Sequence, residues 1–326
     1  MRTSGGRGAG SVLAICLPAL LVLSLAGCTE EADRAHVLQT HIGRIEHVDS
    51  VDVTTASRDR GTVIAVRFDA GAVDRAPALT TLIADVDAAV DDEGYSTYRL
   101  DLTPDSGAAK LVVDDSFAGR DDETAVLTNW YAVRDALLGD LEYVVVPGVE
   151  TITVDSGGAI AHDVSEAGHL HYGSAGTTWT FVNADTSFTV AGAVGFDDSS
   201  LFQDVQRSVS SESLQASAPG WRLDRRDGHV RLDLDVEFDG QPVPPAELTI
   251  ARYGADVSAL ARAAIGAARV AGLPVWLDLH NDDGSGAFDD DFASWVTGQA
   301  PAKGRDPLDR GWDVWLAGLA KASAGG

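Results

Sequence analysis

Thr62-Val63-Ile64-Ala65-Val66-Arg67-Phe68-Asp69 sets Ile64, Val66 and Phe68 at every second position, the period of a half-buried strand. Gly71 closes it, and an Ala-rich helical pattern, Leu79–Val90, follows. Gly94 then leads into a strand carrying Leu100-Asp101-Leu102. The same order returns late in the chain. Val230 to Phe238-Asp239 alternates, Gly240 closes it, and Val257–Ala271 passes through Gly272 into Leu277-Asp278-Leu279. A helix that crosses back after a strand adds a further strand to the same sheet, which places the helices on one face of a mixed or antiparallel sheet.

Working outward, each strand is preceded by another strand and a turn. Val48-Asp49-Ser50-Val51-Asp52-Val53 precedes Arg58-Asp59-Arg60-Gly61, and Trp221-Arg222-Leu223 precedes Arg225-Arg226-Asp227-Gly228 and the strand His229–Phe238. Val149-Glu150-Thr151-Ile152-Thr153-Val154 has the same β-branched spacing as Val48–Val53 and precedes Asp155-Ser156-Gly157-Gly158. Helical patterns lead into the three copies at His36–Glu46, Thr124–Leu141 and Leu201–Val209. In the middle copy Thr177–Phe181 mirrors Ser96–Leu100, while the helix within Val164–Gly176 reads as degraded or missing. Lys110-Leu111-Val112-Val113 reads as a final hairpin strand. The expected fold is α+β: tandem small two-layer modules of helix–strand–strand–helix–strand with antiparallel or mixed sheets. Their expected limits are 36–118, 119–198 and 199–285. Residues 286–326 form a Trp-containing tail ending in a helix over Leu308–Lys321. Trp276, Trp295, Trp312 and Trp315 are expected to cap the third module's core, the alternative being an aromatic platform for an envelope glycan.

The chain has 326 residues, 24 Lys+Arg against 50 Asp+Glu, and a formal charge of −26. That balance argues against nucleic acid, whose phosphates need clustered cations, and against anionic lipid headgroups. It also implies weak association with divalent cations without a defined site.

The first residues have a different character. Arg2 and Arg7 precede the apolar run Val12–Leu25, which is short of the roughly 20 residues that span a bilayer. Leu25-Ala26-Gly27-Cys28 follows and gives way to Thr29-Glu30-Glu31. This segment resembles the lipobox of bacterial lipoproteins. The resemblance implies a signal peptide over 1–27, cleavage before Cys28, a lipid on the Cys28 sulfur, and a short tether over 28–35. The protein is then expected on the extracytoplasmic face of the cell membrane. Cleavage removes 27 residues, among them Arg2, Arg7 and Cys16; 299 residues of net charge −28 remain. With Cys28 consumed, no thiol is left for a disulfide or a thiolate site.

Candidate chemistry is sparse. His162-Asp163, Glu166, His169 and His171 are the right ligand types for Zn²⁺ or Cu²⁺, and His169 and His171 share a face if they lie on a strand. A polar loop gathers the same residues, and no metal site is assigned. Asn281-Asp282-Asp283-Gly284 through Asp290 resembles a calcium loop, but Leu279 stands where its first Asp ligand is needed. Tyr172-Gly173-Ser174-Ala175-Gly176 nearly matches a nucleophile elbow, but lacks its first Gly and reads as a turn. The carboxylate runs Asp91-Asp92-Glu93, Asp114-Asp115, Asp121-Asp122-Glu123 and Asp289-Asp290-Asp291 read as solvated element ends. No cofactor and no catalytic residue is assigned. The expectation is a non-catalytic, membrane-anchored lipoprotein that binds a protein or envelope partner. The alternatives are a solute-binding lipoprotein of an importer, with two doubly wound lobes, and a metal-dependent hydrolase assembled in space.

Overall fold

The computed structural model describes residues 32–55, 61–210, 214–226, 228–238, 243–281, 291–302 and 305–323. The signal peptide, Cys28 and residues 282–290 of the calcium-like loop lie outside these residues. So do 58–60 and Asp227 of the two expected turns.

Helix α1 is described over 32–42, so the expected tether is helical from residue 32. Strands β1 (Val48–Thr54) and β2 (Thr62–Phe68) follow, then α2 (Ala76–Asp92), β3 (Tyr98–Pro104), β4 (Ala109–Asp114) and α3 (Glu123–Ala136). Next come β5 (Asp140–Val146), β6 (Val149–Asp155), α4 (Ile160–Leu170), β7 (Thr177–Asn183), β8 (Thr186–Ala191) and α5 (Phe196–Val209). The last elements are β9 (Ala216–Arg226), β10 (His229–Phe238), α6 (Ile250–Arg269), β11 (Val275–Asn281), β12 (Asp291–Val296) and α7 (Pro307–Ala322).

The twelve strands among the described residues form one sheet in sequence order. Successive pairs alternate: β1–β2, β3–β4, β5–β6, β7–β8, β9–β10 and β11–β12 are antiparallel hairpins. The pairs between hairpins, β2–β3 through β10–β11, are parallel and each is bridged by one helix. The fold is therefore α+β, two layers deep, with a mixed sheet. The repeating unit is a hairpin plus a helix, used six times.

The alternation seen in the sequence sets the layers. In β2, Ile64, Val66 and Phe68 are buried while Ala65 and Arg67 are exposed. The buried set is in register with Leu100 and Leu102 of β3 and continues through Val113, Tyr143, Ile152, Trp179 and Val190. Helices α2 to α7 lie side by side in order over this face. Right-handed crossovers place every helix on the same side, so each unit buries its apolar face against its neighbours as well as its own strands. The opposite face carries a mixture of polar residues and valines such as Val63, Val112 and Val144 at the intervening positions, and no described helix packs on it. Among the described residues no helix is long and apolar enough to cross a membrane.

The correspondence of β2–α2–β3 with β10–α6–β11 holds, and Gly94 and Gly272 end their helices at φ 74° and 67°, the left-handed position expected there. Other expectations are corrected. Val48–Val53 opens a hairpin whereas Val149–Val154 closes one, so those segments are not equivalent. The helix read over Thr124–Leu141 ends at Ala136, because Leu137 turns to extended backbone and Leu141 begins β5. Its apolar spacing, Val133-Leu137-Leu141, continues the helical period and hides the break. Gly139 permits the close return here: a Cβ would lie 2.6 Å from the Asp155 carbonyl oxygen.

The helix read as degraded is intact as α4. Gly168 inside it lets α5 approach, since a Cβ would meet Ser199 Oγ at 2.9 Å, and His171 takes the left-handed position (φ 50°) that Gly usually fills. The limits at 118/119 and 198/199 do not break the sheet: β4 pairs with β5 across the first, and the second falls inside α5. The tail supplies β12 and α7. Trp312, buried, donates from its indole N–H to the Leu248 carbonyl at 2.9 Å, so it caps the last core as expected.

Candidate functional site

The densest polar assembly grows from two neighbouring parallel strands. In Leu232-Asp233-Leu234-Asp235 and Leu277-Asp278-Leu279-His280 the leucines face the helices, which sends the polar residues to the bare face. The register pairs Asp233 with Asp278 and Asp235 with His280. Two carboxylates on adjacent strands stand about 4.8 Å apart at the backbone and need a shared cation. Arg231 supplies it: its Nη2 is 3.0 Å from a carboxylate oxygen of each. His280 Nε2 lies 3.4 Å from Asp233 Oδ1, and Ser294 Oγ donates to Asp278 at 2.6 Å.

The network continues to α7. The Ser294 N–H points away from the sheet and donates to Asp313 Oδ1 at 2.7 Å, which covers the edge of β12. Arg305 Nη1 is 3.5 Å from Asp313 and 2.7 Å from Asp291, and its Nη2 is 3.7 Å from Asp309 and hydrogen-bonded to the Asp291 carbonyl. One chain of charge thus runs from His280 to Asp309 through five aspartates.

Burial raises the Asp278 carboxyl above the usual carboxylate range against the Ser294 hydrogen bond, and the Asp233 charge adds to the rise. Burial also raises Asp313 and Asp309. Burial acts on Asp233 too, but the His280 hydrogen bond and Arg231 outweigh it, and Asp233 stays below the range. A raised carboxyl holds its proton longer in the folded chain, so stability falls as pH rises through that interval. Asp233 has the opposite sign, and its contribution is lost only below the ordinary carboxylate pKa of about 3.9. We therefore expect a higher melting temperature at pH 5 than at pH 8. Relief of self-repulsion acts in the same direction, so Asp278→Asn separates the two: it should shrink the difference, and an unchanged difference would assign the effect to net charge alone.

At the outer end of this network a cavity of about 330 Å³ opens between β11, β12 and the start of α7. Asn281, Asp291, Asp306 and Asp309 line it with Phe292 and Trp312. A second cavity, about 530 Å³, lies between the start of α3 and the loop after α4. There Glu150 accepts from the hydroxyls of Tyr143 and Tyr172, and from Thr177 Oγ1 at 2.5 Å. Burial pushes the Tyr172 hydroxyl up to about 12 and Tyr143 further, so both remain proton donors to Glu150.

The histidine cluster does not assemble as a metal centre. Asp163 is fully buried and accepts the backbone N–H groups of Leu138 (2.8 Å) and Gly139 (3.2 Å), capping the turn into β5. Glu166 Oε1 lies 3.6 Å from His169 Nδ1 on the helix surface. His169 and His171 are not on a strand; their rings meet the edge of Phe196 at 5.2 and 5.3 Å. No group of three or more His, Cys, Asp or Glu among the described residues could hold a metal ion. Ser174 and Thr177 bond each other in a turn, as the sequence reading of Tyr172–Gly176 expects. Of the calcium-like loop, Asn281 is described, and its side chain donates to the Val243 carbonyl at 2.6 Å.

Ser294, His280 and two aspartates are close together but do not form a nucleophilic triad, because the Ser294 hydroxyl is given to Asp278 rather than to His280. Sequence reading passed over Arg231, Asp233, Asp278, His280, Ser294, Arg305 and Asp313. A signal was available in part: Asp233 and Asp235 alternate with leucines in one strand, and Asp278 and His280 do so in the strand that follows the crossover helix. The contributions of Ser294, Arg305 and Asp313 come from elements whose pairing sequence does not reveal. No family model matches the chain, and no curated protein or solved structure matches it either.

Proposed function

We propose that this chain is a lipid-anchored extracytoplasmic binding protein, non-catalytic, that offers the bare face of its sheet to a protein or envelope partner. The observation that carries this reading is the placement of all six crossover and terminal helices, α2 to α7, on one side of a single sheet. The opposite side is a broad surface with a band of threonines at its centre. Thr151, Thr153, Thr178, Thr180 and Thr189 lie in register across its middle, with charged groups toward both ends. Threonines in strands are stiff and can donate and accept hydrogen bonds, which suits recognition at low entropic cost. The lipobox-like Leu25-Ala26-Gly27-Cys28 supports the anchor. The two doubly wound lobes expected of an importer's solute-binding lipoprotein are not the architecture found, since one sheet runs through the described chain.

Two measurements on the full-length protein in cells test this reading. A palmitate analogue should label the wild type and leave Cys28→Ala unlabelled and out of the membrane fraction. Photo-crosslinkers at Thr153 and Thr180 should capture a macromolecule that one at Arg207, exposed on the helix layer, does not. Equal capture from both faces would sink the face assignment, and Cys28→Ala remaining in the membrane fraction would sink the anchor.

A further inference from the structure

We propose that the cavity at the end of β11 binds an organic cation bearing N–H donors, an alkylammonium or a guanidinium. Three observations on different atoms converge there. The first is charge: Asp291, Asp306 and Asp309 line the cavity and Asp313 stands behind it. Among the described residues Arg305 is the cation paired with this group, reaching Asp291, Asp309 and Asp313. Four carboxylates against one guanidinium leave an excess of negative charge, and mutual repulsion helps raise Asp309, after burial.

The second observation is an unmet acceptor. Asn281 is 5% exposed and lines the cavity. Its Nδ2 is committed to the Val243 carbonyl at 2.6 Å, which fixes the orientation of the amide. Its Oδ1 is buried without a hydrogen-bond partner. A buried carbonyl left this way costs about 1–3 kcal/mol, which a donor from a ligand would recover. Among the described residues no group of three or more carboxylates is placed to hold a metal ion, and an anion or a quaternary ammonium would leave the carbonyl unmet.

The third is the wall opposite the acids. Phe292 and Trp312 meet edge to face at 5.0 Å, and the Trp312 indole N–H is already used by Leu248. These rings therefore give the cavity an apolar wall for the carbon skeleton of the ligand. The chemistry could come from a free amine or from a Lys or Arg side chain of a protein partner.

Isothermal titration of the full-length protein in non-ionic detergent tests the assignment. The probes are agmatine, putrescine, N-acetyl-arginine methylamide and tetramethylammonium. We expect saturable binding of at least one of the three N–H donors, with tetramethylammonium at least about tenfold weaker. The double variant Asp306→Asn, Asp309→Asn should weaken binding by about tenfold or more, with unchanged circular dichroism, since Asn still caps α7. Tighter binding of the free amines upholds the site for a small ligand; tighter binding of the capped arginine upholds it for a side chain. Absence of saturable heat from all three donors at millimolar concentration overturns the proposal. So does equal binding of tetramethylammonium, or binding indifferent to the double variant.

Discussion

Trp179→Ala should lower the unfolding free energy by about 3–5 kcal/mol. Trp179 is fully buried in β7, stacked on Phe181 at 5.7 Å and 9° between ring planes. The series continues to Phe188 at 6.3 Å, Phe202 of α5 at 5.5 Å and Trp221 of β9 at 5.3 Å. The indole N–H also donates to the Tyr172 carbonyl at 3.2 Å. Removing the ring leaves a cavity at the head of this series and strips that carbonyl of its donor. Against a total stability of about 5–15 kcal/mol the loss is large. Because the aromatic series crosses residue 198 and joins three strands to α5, the whole transition should move as one. Urea unfolding followed by near- and far-ultraviolet circular dichroism checks both points. A loss below about 1.5 kcal/mol contradicts the packing argument. A split into two transitions, one of them unmoved, would show that the stacked units unfold independently.

Asp198→Ala should cost about 2–4 kcal/mol, from the value of about 3–5 for breaking a buried pair, reduced for partial solvent exposure. Asp198 is 7% exposed and takes Arg225 in a two-point bridge, at 2.6 Å to Nε and 2.9 Å to Nη2. The same carboxylate accepts the Gly195 N–H at 2.8 Å, which fixes the start of α5. Arg225 also donates to the carbonyls of Ala191 (3.2 Å) and Ala193 (3.0 Å), so one guanidinium holds β8, β9 and the α5 entry together. Alanine leaves that charge without its counter-ion and the helix start without its acceptor. Asp198→Asn keeps an acceptor and should cost less. The double variant Asp198→Ala, Arg225→Met should recover part of the loss, because it removes the stranded charge. Single variants that simply add in the double would show that the bridge carries no coupling.

Much of the architecture is legible without coordinates because it is local. The alternation of Ile64, Val66 and Phe68, the Ala-rich runs of α2 and α6, and Gly94 and Gly272 at helix ends each act within a few residues, so composition and period reveal them. The failures are equally local in cause. Leu137 and Leu141 keep a helical period through a real helix end, and Gly168 and His171 stand where contacts with α5 decide the residue rather than helix propensity. Unit length is hidden for the same reason: β5 continues a helical period, and β8 and β12 carry too few apolar residues to stand out, so three of the six hairpins are not legible.

By itself the sequence determined the α+β class, the two-layer segregation, the matching strand–helix–strand order of β2–α2–β3 and β10–α6–β11, and the strongly acidic balance. It determined these because backbone period and side-chain hydrophobicity are properties of single segments. Only the tertiary structure decided that the strands join in one sheet in chain order with one bare face. It alone brought Arg305 and Asp313 beside Ser294 and Asp278, and left the Asn281 side-chain carbonyl unpaired beside a carboxylate-lined cavity. Those relations depend on which edges pair and how α7 closes over β12, contacts between residues far apart in the chain that no local pattern records.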